Sequence, residues 1–88
     1  MSMQALIERK LREELAPEHL AVIDESHLHA GHAGWREGGE THYRVEITAP
    51  VFAGKSRVAR HRMVNQALES AFGRGLHALA VKARAPGE

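Results

Sequence analysis

The sequence predicts an α+β two-layer sandwich, with helices packed on one face of a three-stranded mixed sheet in the order α-β-β-α-β. Three observations carry this. Apolar residues recur every four positions near the start, at Met3, Ile7, Leu11 and Leu15. They alternate with polar residues at Tyr43, Val45 and Ile47. They return to helical spacing at Val64, Ala67, Leu68, Ala71 and Phe72. Spacings of three to four suit one face of a helix and a spacing of two suits a half-buried strand, so two helical stripes can cover one face of a short sheet.

The first helix has Leu6 beside its stripe, while Glu8, Arg9, Arg12 and Glu13 point elsewhere, and Ala16-Pro17 ends it. From His19 to Glu25 a short run rich in Leu, Val and Ile reads as the first strand. Ser26 to Glu40 has neither period and holds four glycines, three histidines and the only Trp, so it reads as a long loop. In the second strand His42, Arg44, Glu46 and Thr48 alternate with the apolar residues, and Pro50 marks the end. Phe52-Ala-Gly54-Lys55 reads as a turn, with room for a short helical turn before the second long helix, which stops at Gly73 and Gly75. Leu76 to Arg84 reads as the third strand, with His77, Leu79, Val81 and Ala83 on one face. The order of the strands is not readable from the sequence.

With 88 residues, the chain fits a single small domain, 1–88, without room for a second core or a large enclosed substrate pocket. Its 43% hydrophobic and 26% charged residues are those of an ordinary globular protein, and no apolar run approaches the length that crosses a bilayer. Met1 to Lys10 lacks the pattern of a secretory signal, so a cytoplasmic location and no membrane partner are expected. Twelve basic against eleven acidic residues leave no global electrostatic attraction for nucleic acid, so a case for it rests on local charge. There is no Cys, hence no disulfide, thiol nucleophile or thiolate metal ligand from this chain alone.

Histidine, at seven residues, is the conspicuous excess. His27-Leu-His29-Ala-Gly-His32 brings three imidazoles within six residues, among glycines that let the backbone wrap toward a shared point. Imidazole nitrogen suits zinc, copper, nickel and iron, but a loop pair alone makes an open site that a distant ligand must complete. His77, beside a glycine-rich break at the start of a strand, is the best placed; His42 and His61 are poorer candidates. Each has a plainer reading, His77 as a hydrogen-bonded rim residue and the loop trio as solvated side chains. Trp35 reads as packing over a sheet edge.

The second cluster, Lys55-Ser-Arg57-Val-Ala-Arg60-His61-Arg62, holds four fixed positive charges and no acid. Basic residues at a helix start attract phosphate, which makes nucleic acid a legitimate hypothesis. At 100° per residue Lys55 and Arg62 share a face, whereas Arg57, Arg60 and His61 lie toward the apolar stripe, so the charges form no clean recognition face. Basic side chains snorkelling around the core are the alternative. Gly54-Lys55-Ser56 lacks the earlier glycine of a P-loop. There is no nucleophile elbow and no HExxH, and Asp24-Glu25 has no recognisable partner, so no enzyme is expected.

Taken together, Asp24-Glu25-Ser26, His29-Ala-Gly-His32, Thr41-His42-Tyr43, Phe52-Ala-Gly54-Lys55-Ser56, Arg60-His61-Arg62 and His77-Ala-Leu79 resemble the BolA-like family, in the family's order and from about Ile7 to Pro86. The resemblance implies a class II KH-like fold, although the GxxG loop by which true KH domains clamp nucleotides has no match here. It also implies a monothiol glutaredoxin partner and a [2Fe–2S] cluster bridged between the two proteins. The partner and its bound glutathione would supply thiolates, and this chain imidazoles. The family's C-terminal histidine falls on His77, and its variable loop ligand on His29 or His32, with His29 the first choice. A homodimer is the alternative in the partner's absence. The family also includes transcriptional regulators, with 52–72 resembling a helix-turn-helix. This gives the alternative expectation of DNA binding through Lys55, Arg57, Arg60 and Arg62.

Overall fold

Ser2 starts the first element. Its side-chain oxygen accepts a hydrogen bond from the Ala5 N–H at 3.1 Å, satisfying one of the donors that a helix start leaves open. The helix α1 then runs Met3–Leu15 and buries Met3, Leu6, Ile7, Leu11 and Leu15, the stripe expected from the spacing. It stops at Ala16, which turns into the left-handed region (φ 46, ψ 58) and donates its N–H to the Arg12 carbonyl at 3.2 Å. Pro17 follows, where no helix can continue. In this computed structural model residues 2–25, 42–76 and 78–88 are described.

The remaining elements are β1 (His19–Asp24), β2 (His42–Thr48), a single 3-10 turn (Pro50–Phe52), α2 (Arg57–Ala67), α3 (Glu69–Gly73) and β3 (Ala78–Arg84). The sheet order is β1-β2-β3. The first pair is antiparallel, from His19 opposite Thr48 to Asp24 opposite Tyr43, and the second is parallel, from His42 beside Ala78 to Thr48 beside Arg84. The sheet is therefore mixed, as expected, and the parallel pair is joined by the helical crossover such pairs require.

β2 is central, and its Tyr43, Val45 and Ile47 are buried under the helices together with Phe52, Val64, Leu68 and Ala71. Leu79, Val81 and Ala83 of β3 pack against this core while their neighbours along the strand are exposed. The 3-10 turn serves to deliver Phe52, which is fully buried, into the centre. Burial of a side chain of that size contributes about 3 kcal/mol. Gly54 follows at φ 74, a backbone conformation that side-chain-bearing residues rarely adopt, and the chain turns there into α2.

The structure departs from the sequence expectation within the second helical stripe. The helix is not continuous to Phe72 but breaks at Leu68 (φ −102, ψ 15), whose N–H is shared between the carbonyls of Val64 and Asn65 at 3.1 and 3.2 Å. That tightened turn re-aims the chain so that Leu68 and Ala71 stay fully buried while Phe72 emerges, 37% exposed. β1 ends at Asp24, one residue short of expectation, and β3 begins at Ala78, leaving Leu76 as a buried residue ahead of the strand. Among the described residues no helix is long and apolar enough to cross a membrane.

Candidate functional site

Two regions hold the residues that the sequence singles out. The first is the end of the sheet from which 26–41 departs and to which it returns. Asp24, the last residue of β1, lies opposite Tyr43, and the Glu25 N–H donates to the His42 carbonyl at 2.9 Å, extending the ladder by one rung. On the parallel side His42 lies beside Ala78, the first residue of β3. Both ends of 26–41 and the start of β3 thus meet on three adjacent strands, whose neighbours sit about 4.8 Å apart.

The side chains at this end are anchored. Arg44 donates Nε–H to the Glu25 carboxylate at 3.0 Å, which gives Glu25 the partner that the sequence did not reveal. His42 is 5% exposed and is the one polar side chain among the buried residues described. Glu25, His42, Tyr43, Ala78, Leu79 and Ala80 line a cavity of about 180 Å³. His29, His32 and His77 lie outside the described residues, as does Trp35. Among the described residues no three His, Asp or Glu side chains cluster as a metal site would require.

The second region lies between the start of α2 and β3. Ser56 caps α2, its side-chain oxygen accepting from the Ala59 N–H at 3.1 Å. Lys55 lies ahead of that cap and off the helix, so the 100° rule that paired it with Arg62 does not apply to it. Lys55 instead joins Arg57, Arg60 and His61 along one wall of a groove of about 450 Å³, with Val81, Lys82, Ala83 and Arg84 on the other. Arg62 is exposed and does not line it.

Arg60 is pinned inside this groove. Its Nε–H donates to the Lys55 carbonyl at 3.0 Å and its Nη1 to the Ala83 carbonyl at 3.3 Å. Nη1 and Nη2 also grip the two oxygens of Glu88 at 2.6 and 2.7 Å. Oε1 of Glu88 further accepts from the Ala85 N–H at 3.1 Å. The hydrogen bonds from Arg60 and then from Ala85 hold the Glu88 carboxyl down at about 2, and the same pair raises the Arg60 guanidinium. Of the four basic residues named from the sequence, Arg60 is therefore partnered, and Lys55, Arg57 and Arg62 are exposed. Lys82 and Arg84, which complete the groove, were missed because they sit in the third strand, twenty or more residues from the basic run, and only the fold brings them together.

Comparison with known proteins places this geometry among relatives. The BolA-like protein family profile matches residues 11–88. A Sinorhizobium sp protein described as an uncharacterized protein in the cobS 5′ region is 54% identical over 89 residues, covering 100% of this chain and 96% of that one. The DNA-binding transcriptional regulator BolA of Vibrio cholerae is 43% identical over 79 residues, covering 90% of this chain and 71% of its own length. The solved BolA domain of SufE1 from Arabidopsis thaliana superposes with a TM-score of 0.87 at 42% identity, covering 98% of this chain and 94% of that domain.

Proposed function

The chain belongs to the BolA-like family, and on that premise we propose that it partners a monothiol glutaredoxin and shares a [2Fe–2S] cluster with it, acting in iron–sulfur cluster trafficking or iron and redox regulation. His77 and one of His29 and His32 would be the ligands from this side, the glutaredoxin and its glutathione supplying thiolates. Without a cysteine the chain has no thiolate to offer, and two imidazoles are too few to hold a cluster alone, so a partner is part of the chemistry. Replacement of thiolates by neutral imidazoles raises a cluster's potential and makes ligation sensitive to pH, which suits a labile, transferable cluster.

The observation that supports this reading is the pairing of His42 with Ala78. It roots the segment bearing His29 and His32 one strand away from the residue that follows His77, although 36 positions separate His42 from Ala78 in the sequence. The parallel register, rather than proximity in sequence, gives the two candidate ligand segments a common base.

The test is anaerobic reconstitution with a monothiol glutaredoxin, glutathione and iron, followed by visible absorption and circular dichroism. Wild type is compared with His77→Ala, His29→Ala and His32→Ala, and with glutaredoxin alone. A new heterodimer spectrum that requires His77 and one of the two loop histidines is expected. A normal mixed-complex spectrum from His77→Ala removes that residue from the ligand set, and no complex with wild type removes the reading.

DNA binding is the second reading, favoured by the name of the Vibrio cholerae relative and by the exposed Lys55, Arg57 and Arg62 at the start of α2. The commitment of Arg60 to Glu88 leaves it a smaller charge set than the sequence suggests. Duplex binding that weakens steeply with salt, with a slope reduced by removing those three cations, is the outcome that would establish it.

A further inference from the structure

The groove between α2 and β3 has a backbone floor as well as charged walls. In the sheet order β3 is an edge strand. The Ala49 N–H donates to the Arg84 carbonyl at 3.0 Å, so Arg84 turns its peptide groups toward the β2 side. Backbone groups alternate along a strand, hence those of Leu79, Val81 and Ala83 face the outer edge. Two hydrogen bonds confirm the alternation, because the Ala83 carbonyl takes Nη1 of Arg60 and the Ala85 N–H takes Glu88. Among the described residues nothing pairs with the edge groups of Leu79 and Val81.

From this geometry we infer that the β3 edge accepts an acidic peptide in extended conformation as a fourth strand, with a peptide carboxylate replacing that of Glu88 on Arg60. Side chains of an added strand alternate between its two faces. On the helix side they would meet Lys55, Arg57 and Arg60, and on the open side Lys82 and Arg84, whose side chains also border Glu46 on the other face of the sheet. Cations border both faces, so carboxylates on whichever face the partner presents them, at every second position of its strand, find a positive charge. Glu88 already shows the recognition in miniature, with a carboxylate forked by Arg60 while a neighbouring edge N–H is satisfied.

Two other occupants fit less well. A second copy pairing edge to edge would set Lys82 and Arg84 against their own counterparts, the charge arrangement by which natural edges resist self-association. A nucleic acid backbone offers phosphate oxygens, which accept hydrogen bonds but donate none, and would leave the edge carbonyls of Leu79 and Val81 without partners. A peptide strand supplies donors and acceptors alternately.

The probe is a blocked eight-residue peptide of alternating Glu and Val, titrated into the ¹⁵N-labelled protein and followed by amide shifts and hydrogen exchange. Shifts centred on Leu79, Val81 and Ala83, with slowed exchange at Leu79 and Val81, are expected. The same peptide N-methylated at alternate bonds, and a version with Lys for Glu, should each bind at least about ten-fold more weakly. Glu88→Gln, which removes the internal competitor, should tighten the Glu-Val peptide about three-fold, and Lys82→Glu should weaken it by a similar factor. Equal binding of the N-methylated peptide would reduce the groove to a charge patch and overturn the strand. The absence of shifts at these residues at millimolar peptide would also overturn it, as would an oligonucleotide that moves the same amides and displaces the peptide.

Discussion

Glu88 closes on Arg60 through two parallel hydrogen bonds, 2.6 and 2.7 Å long, and so clasps the segment after β3 onto the first turns of α2. Because its carboxyl is lowered from 4.5 to about 2, the clasp contributes fully above pH 4.5, where the carboxylate is charged in both folded and unfolded chains. The contribution fades as pH falls from 4.5 through about 2, where the folded carboxylate finally takes up its proton. Thermal unfolding of wild type and Glu88→Gln should therefore differ at neutral pH, and the two melting temperatures should converge toward pH 2. A gap that persists unchanged in acid would show that the charge of Glu88 does not carry the clasp.

The cap on α2 gives a second expectation. Ser56→Ala removes the acceptor for the Ala59 N–H and should cost about 1 kcal/mol. In a domain of this size that lowers the melting temperature by about 5 °C. Ser56→Asp, which keeps an acceptor at the same place, should hold most of the stability. Equal losses in the two variants would mean that the hydroxyl contributes by packing rather than by capping.

Ala16 presents the opposite case, a residue with a Cβ in a conformation that favours glycine. Ala16→Gly should raise stability by about 0.5 to 1 kcal/mol, since relief of the left-handed backbone outweighs the added freedom of the unfolded chain. Chemical denaturation read as a shift in midpoint at constant slope would measure it. A fall in the midpoint would place Ala16 outside the left-handed region in solution.

The break at Leu68 makes a pair of phenylalanines diagnostic. Phe52→Ala empties a fully buried position and should cost about 3 to 5 kcal/mol, enough to unfold much of a small domain. Phe72→Ala trims a side chain that is 37% exposed and should cost about 1 kcal/mol or less. Urea titration of both decides the matter. Comparable losses would mean that the helical stripe runs unbroken to Phe72, as its spacing in the sequence suggests.

The candidate ligand site was legible in part. His29, His32 and His77 stand out by residue type and by their glycine-rich surroundings, and the fold relates only the residues that flank them. The basic groove was half legible. Lys55, Arg57 and Arg60 form a visible run, but the angular rule for helices misplaced Lys55 because nothing in the spacing shows that Ser56, rather than an earlier residue, is the cap. Glu25 looked unpartnered for the same kind of reason, since Arg44 lies 19 residues away along the chain, and the link between Glu88 and Arg60, 28 residues apart, left no trace in any local pattern.

By itself, the sequence determined what depends on near neighbours: the faces of α1, β2 and α2, the stop at Ala16-Pro17, the turn at Gly54, and a ligand chemistry without thiolates for lack of cysteine. Periodicity and caps act over one or two turns of backbone, so a linear reading captures them. Only the tertiary structure decided that β3 runs parallel beside β2 and stands at the sheet's edge, that Lys82 and Arg84 join the cations of α2, and that Glu88 occupies Arg60. Those relationships depend on how the crossover helix packs across the sheet, and that packing is fixed by the shared burial of Phe52, Val64, Leu68 and Val45, residues that no local pattern connects.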